Sequence, residues 1–241
     1  MDHSQNEIAM RRVLITGASR GLGLEFVRQS LARRYQVFAA CRNPTGATEL
    51  KHHLKNFAKQ LTLIHIDVTD ETSITASLKK VQEHTDALDM LVNNAGVYDD
   101  GQNLGNLNLK NGLYAFTVNA VGPILMAQTY LPLIKNGESP VIANISSGMG
   151  SFSEIVQGDH YYYSASKTAL NMLMKILASN VSNFGIKVIL LNPGWVKTDM
   201  GGQDASISTT ESVEGLFSIM DKLKSADSGK FFNWDGTLHD W

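Results

Sequence analysis

Val13-Leu14-Ile15 runs directly into Thr16-Gly17-Ala18-Ser19-Arg20-Gly21-Leu22-Gly23, and Leu24, Val27 and Leu31 then recur at helical spacing. An apolar run that ends in three glycines and restarts as an amphipathic helix predicts a buried strand, a tight turn and a helix. Glycine suits such a turn because a Cβ would obstruct both the backbone path and the close approach of a bound group. The free amides at the helix start then attract phosphate. The spacing is G-x-x-x-G-x-G rather than G-x-G-x-x-G, but the demands on the backbone are similar. No Lys-Ser/Thr follows the glycines, so a nucleotide-hydrolysing phosphate loop is not expected. On this segment alone, a purely structural β-to-α turn stays open as a reading.

The rest of the chain repeats the same rhythm. Strands are expected at Gln36–Cys41, Leu61–Val68, Leu88–Val92, Val141–Ile145, Ile186–Leu191 and Lys230–Trp234. Helices are expected from Thr69-Asp70-Glu71 towards His84, across Leu113–Leu133, and from about Tyr163 to Asn183. Alternation of this kind predicts βαβ units and a parallel sheet covered on both faces. The expected fold class is therefore α/β: one Rossmann-type domain with a doubly wound parallel sheet of about seven strands. It would occupy residues 13–241 behind a frayed lead, 1–12, because the first strand pattern begins only at Val13.

Composition narrows the function classes. The 21 basic and 23 acidic residues leave a net charge of −2, and no basic block exceeds a pair, so nucleic acid is not an expected partner. Cys41 is the only cysteine, which excludes an internal disulfide and a cysteine-based zinc site. Residues 1–12 lack the apolar stretch of a signal peptide. No apolar run approaches the ~18 residues of a membrane span, so a cytoplasmic protein with no membrane partner is expected. Among the seven histidines, His52-His53 and His65 do not form a ligand pair, and no metal is expected.

The residue that ends the second strand distinguishes dinucleotides, since NAD enzymes place Asp or Glu there for the ribose 2′-hydroxyl. Here the stretch is Ala40-Cys41-Arg42-Asn43, without a carboxylate. Arg42, with Arg20 in the glycine turn, suits a 2′-phosphate instead, which favours NADP(H) over NAD(H). Asp67-Val68 is placed either to meet the adenine ring or to cap the following helix.

Tyr163-Ser164-Ala165-Ser166-Lys167 sets a phenol and an ammonium one helical turn apart on the same face. A tyrosine's ordinary pKa of ~10 is too high for proton exchange near neutrality, and a cation within ~4–6 Å lowers it. Alone, this spacing is common by chance. Ile145-Ser146-Ser147-Gly148, just after the fifth strand, adds a hydroxyl able to hold a substrate oxygen, and alternation along the strand exit sends one of the two serines inward.

The Thr16–Gly23 turn, Asp67, Asn93-Asn94-Ala95-Gly96, Asn119, Ser147, Tyr163 with Lys167, and Asn192-Pro193-Gly194 with Thr198 together resemble the ordered motifs of the short-chain dehydrogenase/reductase family. The likeness runs from Val13 to Trp241. Within the family, Trp195-Val196-Lys197-Thr198-Asp199-Met200-Gly201 and Phe232-Asn233-Trp234-Asp235-Gly236 are similar to the C-factor and sniffer-like carbonyl reductases. The resemblance implies that Tyr163 is the general acid in reduction, or the base in oxidation. It implies that Lys167 lowers the Tyr163 pKa and holds the nicotinamide ribose. It selects Ser147 over Ser146 to orient the substrate carbonyl, and gives Asn119 a water that relays protons through Lys167. For the cofactor it implies Gly17, Ser19, Arg20, Gly21, Leu22 and Gly23 in the turn. It adds Arg42, Asp67 and Val68, then Asn93, Ala95 and Gly96, and at the nicotinamide end Pro193, Gly194, Val196 and Thr198. The interval from Ser147 to Tyr163 is longer than the family usually shows, which points to an insertion around Ser151–His160 bordering the substrate pocket.

Val97, Tyr98, Met149, Phe152, Trp195 and Met200 are candidate pocket residues, and their character predicts a small, moderately apolar aldehyde or ketone. The Gly/Ser/Thr-rich stretch at about 198–213 is expected to form a lid. The helices carrying Asn119 and Tyr163 are apolar enough to pack on a second subunit, so a homodimer or homotetramer is expected by analogy. A second reading keeps the fold but not the activity, making the chain an NADP(H)-binding signalling or redox-sensor protein with little turnover.

Overall fold

Successive residues of each central strand are buried on opposite sides of one sheet, which explains their continuous apolar character. Leu14, Phe38, Leu91, Ile142 and Val188 join one core; Ile15, Val37, Val92, Ala143 and Ile189 join the other. The computed structural model describes residues 10–98, 103–154 and 160–241. Among them, seven strands form a single sheet in the order β3-β2-β1-β4-β5-β6-β7, every neighbouring pair parallel.

In chain order the elements are β1 (Arg12–Thr16), α1 (Gly21–Ala32), β2 (Gln36–Cys41), α2 (Thr48–Phe57), β3 (Leu61–His65), α3 (Glu71–Gln82) and β4 (Met90–Asn93). Then come α4 (Leu109–Phe116), α5 (Gly122–Lys135), β5 (Val141–Ile145), α6 (Tyr161–Asn180), β6 (Lys187–Asn192), α7 (Thr209–Lys222) and β7 (Phe231–Asn233). Helices α1, α2 and α7 cover one face of the sheet, and α3, α5 and α6 cover the other. This is the expected single-domain, doubly wound parallel sheet. Strand order reverses between β1 and β4, so the carboxyl ends of these strands open a crevice where such folds place ligands.

Several boundaries differ from expectation for identifiable reasons. The helix expected across Leu113–Leu133 begins earlier, capped by the Asn108 side chain on the Asn111 amide. It is interrupted by a π turn, Thr117–Val121, before resuming as α5. Pro123 has no N–H to donate to the Asn119 carbonyl, and the wider turn accommodates the missing bond. Strand β3 stops at His65 rather than Val68, because the Asp67 amide donates to the Ser73 hydroxyl at 2.9 Å and leaves the ladder. Strand β1 opens at Arg12 rather than Val13, and the Arg12 guanidinium holds the buried Asp89 carboxylate at 2.8 and 2.9 Å. Residues 1–9 of the expected lead, and 155–159 of the expected insertion, lie outside the described residues. Helices α2 and α7 are additions to the expected set.

Candidate active site

The crevice begins at the glycine turn, whose shape depends on absent side chains. Gly17 has φ +64°, and a Cβ there would lie 2.8 Å from the Ala95 Cα; one on Gly23 would lie 2.2 Å from the Gly17 carbonyl oxygen. The Asn94 side-chain amide pins the turn by donating to the carbonyls of Thr16 at 2.9 Å and Gly17 at 3.2 Å. No side chain caps the start of α1, so its first amides face the crevice without a competing partner. Ser19, Arg20, Gly21 and Leu22 line the same wall. A cradle that a single Cβ would fill, ending in open amides, fits a pyrophosphate. Among the described residues, no group of His, Cys, Asp and Glu is arranged to hold a metal ion.

Beyond the turn lies the end that would hold adenosine, lined by Cys41, Arg42, Asp67, Val68, Tyr114 and Val118. Arg42 donates from Nη1 to the Tyr114 hydroxyl at 3.0 Å. Arg20 instead forms an exposed ion pair with Asp199 at 3.4 Å. Asp67 does not cap α3; Asp70 does, accepting from the Thr72 amide at 2.8 Å. The Asp67 carboxylate takes both the amide and the hydroxyl of Thr69 at 2.9 and 2.7 Å. Burial alone would raise its pKa, but these bonds and the nearby Arg42 outweigh burial and hold it low.

Ala95 and Gly96 line the crevice, but Asn93 does not. Asn93 is the last residue of β4, and its side chain lies in the sheet's buried layer, donating to Asn144 Oδ1 at 2.8 Å and the Pro123 carbonyl at 3.3 Å. The neighbour, Asn94, is the residue that reaches the turn. Gly194 and Val196 line the adjoining compartment, while Pro193 and Thr198 border both.

The two compartments meet at Tyr163, which is 8% exposed and lines each. Strand β5 delivers the serines to opposite sides. Ser146 turns into the core and donates to Asn171 Oδ1 at 2.6 Å, whereas the Ser147 hydroxyl accepts from the Met149 amide at 3.2 Å and lies on the side of Tyr163, whose pKa it lowers. One turn further along α6, the Lys167 amine donates to the Ile145 carbonyl at 2.8 Å and sits 5.7 Å from the Tyr163 ring centroid. Asn119 is fully buried behind them. It accepts from the Val97 amide at 2.8 Å and donates to the Val97 carbonyl and the Ser166 hydroxyl, both at 2.9 Å. Ser166 in turn donates to the Tyr163 carbonyl at 2.7 Å, so Asn119 and Tyr163 are tied through one hydroxyl. Gly96 closes this cluster: a Cβ there would stand 3.4 Å from Asn119 Oδ1 and 3.6 Å from the Lys167 amine.

Burial sets the electrostatics. It pushes the Tyr163 phenol up to about 12, the Ser147 hydroxyl offsetting part of the rise and the neighbouring Tyr98 adding to it. It lowers the Lys167 amine to about 8. The expectation that Lys167 would hold the tyrosine's pKa down is therefore not met in this state. The lysine's own charge is destabilised by desolvation, and its proton is directed at Ile145 rather than at the phenol.

The second compartment holds Tyr98, Met149, Trp195 and Met200 around Ser147 and Tyr163. Tyr98 packs edge-to-face on Tyr163 at 5.0 Å and hydrogen-bonds His160 at 2.8 Å. Val97 lines the first compartment instead. Phe152 lines neither and is 86% exposed. Its neighbours explain this: the Ser151 hydroxyl donates to the Asp240 carbonyl at 2.6 Å and the Ser153 amide to the Trp241 carbonyl at 3.0 Å, pinning the loop so that Phe152 faces outward. The stretch 198–213 folds back on itself. The Lys197 amide donates to the Ile207 carbonyl at 2.8 Å, Ala205 and Ile207 are buried, and the stretch's last residues lie in the first turns of α7.

A Rossmann-type sheet, a phosphate-fitting turn at its switch point, and a serine, tyrosine and lysine where the cleft divides define a dinucleotide-dependent oxidoreductase. The short chain dehydrogenase family signature matches residues 11–207, and the chain belongs to that family. It is 38% identical over 157 residues to the C-signal protein of Myxococcus xanthus, covering 65% of this chain and 95% of that one. Among solved structures it resembles an NADPH-bound carbonyl reductase from chicken fatty liver, with 36% identity and a TM-score of 0.91 over 96% of this chain and 99% of that one. It also resembles the carbonyl reductase Sniffer of D. melanogaster, with 33% identity and a TM-score of 0.91 over 96% of this chain and all of that one. Among the described residues, no helix is long and apolar enough to cross a membrane.

Proposed function

We propose that this chain is an NADPH-dependent carbonyl reductase acting on small, uncharged aldehydes or ketones, with Tyr163 as the general acid. The observation that carries the reading is that Ser147 and Tyr163 line the second compartment together while Tyr163 also borders the first, which sets the phenol at the seam between them. A substrate oxygen placed at that seam meets two hydroxyl donors, and a carbonyl gaining negative charge is what such donors stabilise. NADPH, when bound, supplies the hydride. Gly17, Gly21 and Gly23 would receive its pyrophosphate on the α1 amides, Arg42 and Arg20 its 2′-phosphate, and Lys167 its nicotinamide ribose.

The proton follows from the chain's own residues. Tyr163 is protonated at neutral pH, so the phenol holds the proton that a substrate oxygen can take as it gains negative charge. Lys167, near 8, sits close enough to neutrality to pass a proton onward and restore the phenol. Asn119 holds the backbone at Val97 and, through Ser166, the turn of α6 that carries Tyr163. Its backbone carbonyl lacks the usual α-helical bond, because Pro123 has no N–H, which suits a water at the far end of the relay. The apolar wall of Met149, Trp195 and Met200 suits an uncharged substrate. The likeness to carbonyl reductases and the NADPH in the chicken structure support the same assignment. Residues 198–213 serve in this reading as the lid, and a cytoplasmic homo-oligomer is the proposed form.

The test is NADPH oxidation, followed by the loss of nicotinamide absorbance, against a panel of aldehydes, ketones and quinones. Turnover of uncharged carbonyls with NADPH preferred to NADH is expected. NADPH that binds tightly but is not oxidised across the panel would overturn the assignment and favour a sensing role.

A further inference from the structure

We propose that Tyr114 is a positioning residue that selects the 2′-phosphorylated dinucleotide by holding Arg42 over the adenosine end of the cleft. The inference rests on the NADPH reading above and adds a residue to it. Tyr114 lies in α4, far from β2 in sequence, yet its hydroxyl accepts from Arg42 Nη1 at 3.0 Å. Both side chains line the same end of the crevice, beside Asp67 and Val118.

The two cations available to a 2′-phosphate are held differently. Arg20 is paired with a carboxylate, Asp199, at 3.4 Å, so a phosphate arriving there must displace an anion. The partner of Arg42 is a neutral phenol, which restrains the side chain without cancelling its charge. The one nearby acid lining this end, Asp67, already accepts two hydrogen bonds from Thr69. A guanidinium carries five N–H donors in a planar fork, so donating one to Tyr114 leaves the others for a phosphate. Holding the fork in place in advance removes part of the ordering that binding would otherwise require, which is how preorganisation raises affinity. NADH has a hydroxyl in place of the phosphate and draws little from a fixed cation. The Tyr114 hydroxyl therefore acts on the choice between the two dinucleotides rather than on binding in general.

The experiment measures dissociation constants for NADPH and NADH by titration calorimetry on the intact protein, in wild type, Tyr114→Phe, Arg42→Ala and the double variant. Thermal midpoints of the unliganded proteins check folding. Tyr114→Phe keeps the ring and should weaken NADPH by about three- to tenfold, the net contribution of one ordinary exposed hydrogen bond, while NADH changes by less than about twofold. Arg42→Ala should weaken NADPH more. Adding Tyr114→Phe to it should change nothing further, because the hydroxyl acts only through the arginine. If Arg42→Ala weakens NADPH but Tyr114→Phe leaves it unchanged, the positioning role is wrong and the NADPH reading stands. If Tyr114→Phe weakens both dinucleotides equally, the residue merely packs on the adenosine and the proposal fails. If the wild type prefers NADH, the NADPH reading fails and takes this proposal with it.

Discussion

Replacing Lys167 by Met should stabilise the protein at neutral pH and destabilise it at alkaline pH. The amine is only 4% exposed, and burial lowers its pKa from 10.5 to about 8. At ~1.4 kcal/mol per pH unit, keeping the buried amine protonated costs the folded state about 3 kcal/mol near neutrality. Met preserves most of the volume and removes the charge. It also strands the Ile145 carbonyl, which now accepts from the amine at 2.8 Å; an unsatisfied buried carbonyl costs about 2 kcal/mol. The net expectation is a gain of about 1 kcal/mol at neutral pH. The folded pKa lies below the unfolded one, so from about pH 8 to 10.5 the unfolded chain binds the extra proton and the wild type gains stability as pH rises. By about pH 10 roughly 2.5 kcal/mol of the penalty is gone, and the variant should be the less stable protein by about 1.5 kcal/mol. Urea midpoints at matched slopes, taken at both ends of this range, measure the crossover. Titrations elsewhere are common to both proteins and cancel in the difference. A stability difference that does not vary with pH would refute the argument that burial holds this amine near deprotonation.

Two further substitutions probe the scaffold of the site. Gly23→Ala sets a Cβ 2.2 Å from the Gly17 carbonyl and 2.5 Å from the Asn94 amide, so the turn must shift. It should lower stability by about 1–3 kcal/mol and weaken NADPH binding, read by urea midpoint and calorimetry. Asp89→Ala removes a buried carboxylate that accepts from the Arg12 amide, Nε and Nη2 and from the Glu138 amide at 2.6–2.9 Å. The loss should be about 3–5 kcal/mol. Burial raises the Asp89 pKa, but its hydrogen bonds outweigh burial and leave it below the usual value. Its contribution is thus present at neutral pH and disappears as pH falls through the lowered pKa, so the gap between wild type and variant should close in acid.

The parts of this architecture that local pattern controls were legible in the sequence. The glycine turn, the alternation of strands and helices, and the division of Ser146 from Ser147 all follow from backbone periodicity. The motif resemblance places Asn93 on the cofactor side. As the last residue of β4 its side chain instead donates to Asn144 and the Pro123 carbonyl in the buried layer, and Asn94, one residue on, reaches Gly17. The π turn was encoded by Pro123, but its effect falls upstream, at Asn119, where periodicity reads as unbroken helix. Helix α7 also carried its signal in the spacing of Val213, Leu216, Phe217 and Met220. Contacts between distant segments left no local trace. Tyr114 has nothing in its neighbourhood to link it to Arg42, and the apolarity of Phe152 does not say that its flanking serines are tied to the C-terminal tail. The electrostatics of Tyr163 were hidden for a related reason. Sequence spacing reveals the nearby cation, but not the burial that outweighs it.

The most direct measurement of the central claim is single-turnover reduction of an uncharged aldehyde by NADPH-loaded wild type and Tyr163→Phe, with NADPH affinity measured on the same preparations. The account predicts that the variant loses about 10²–10⁴-fold in rate, the usual contribution of a positioned general acid, while its NADPH dissociation constant stays within about twofold. A variant that keeps the wild-type rate with NADPH bound would contradict the assignment of Tyr163 as the proton donor.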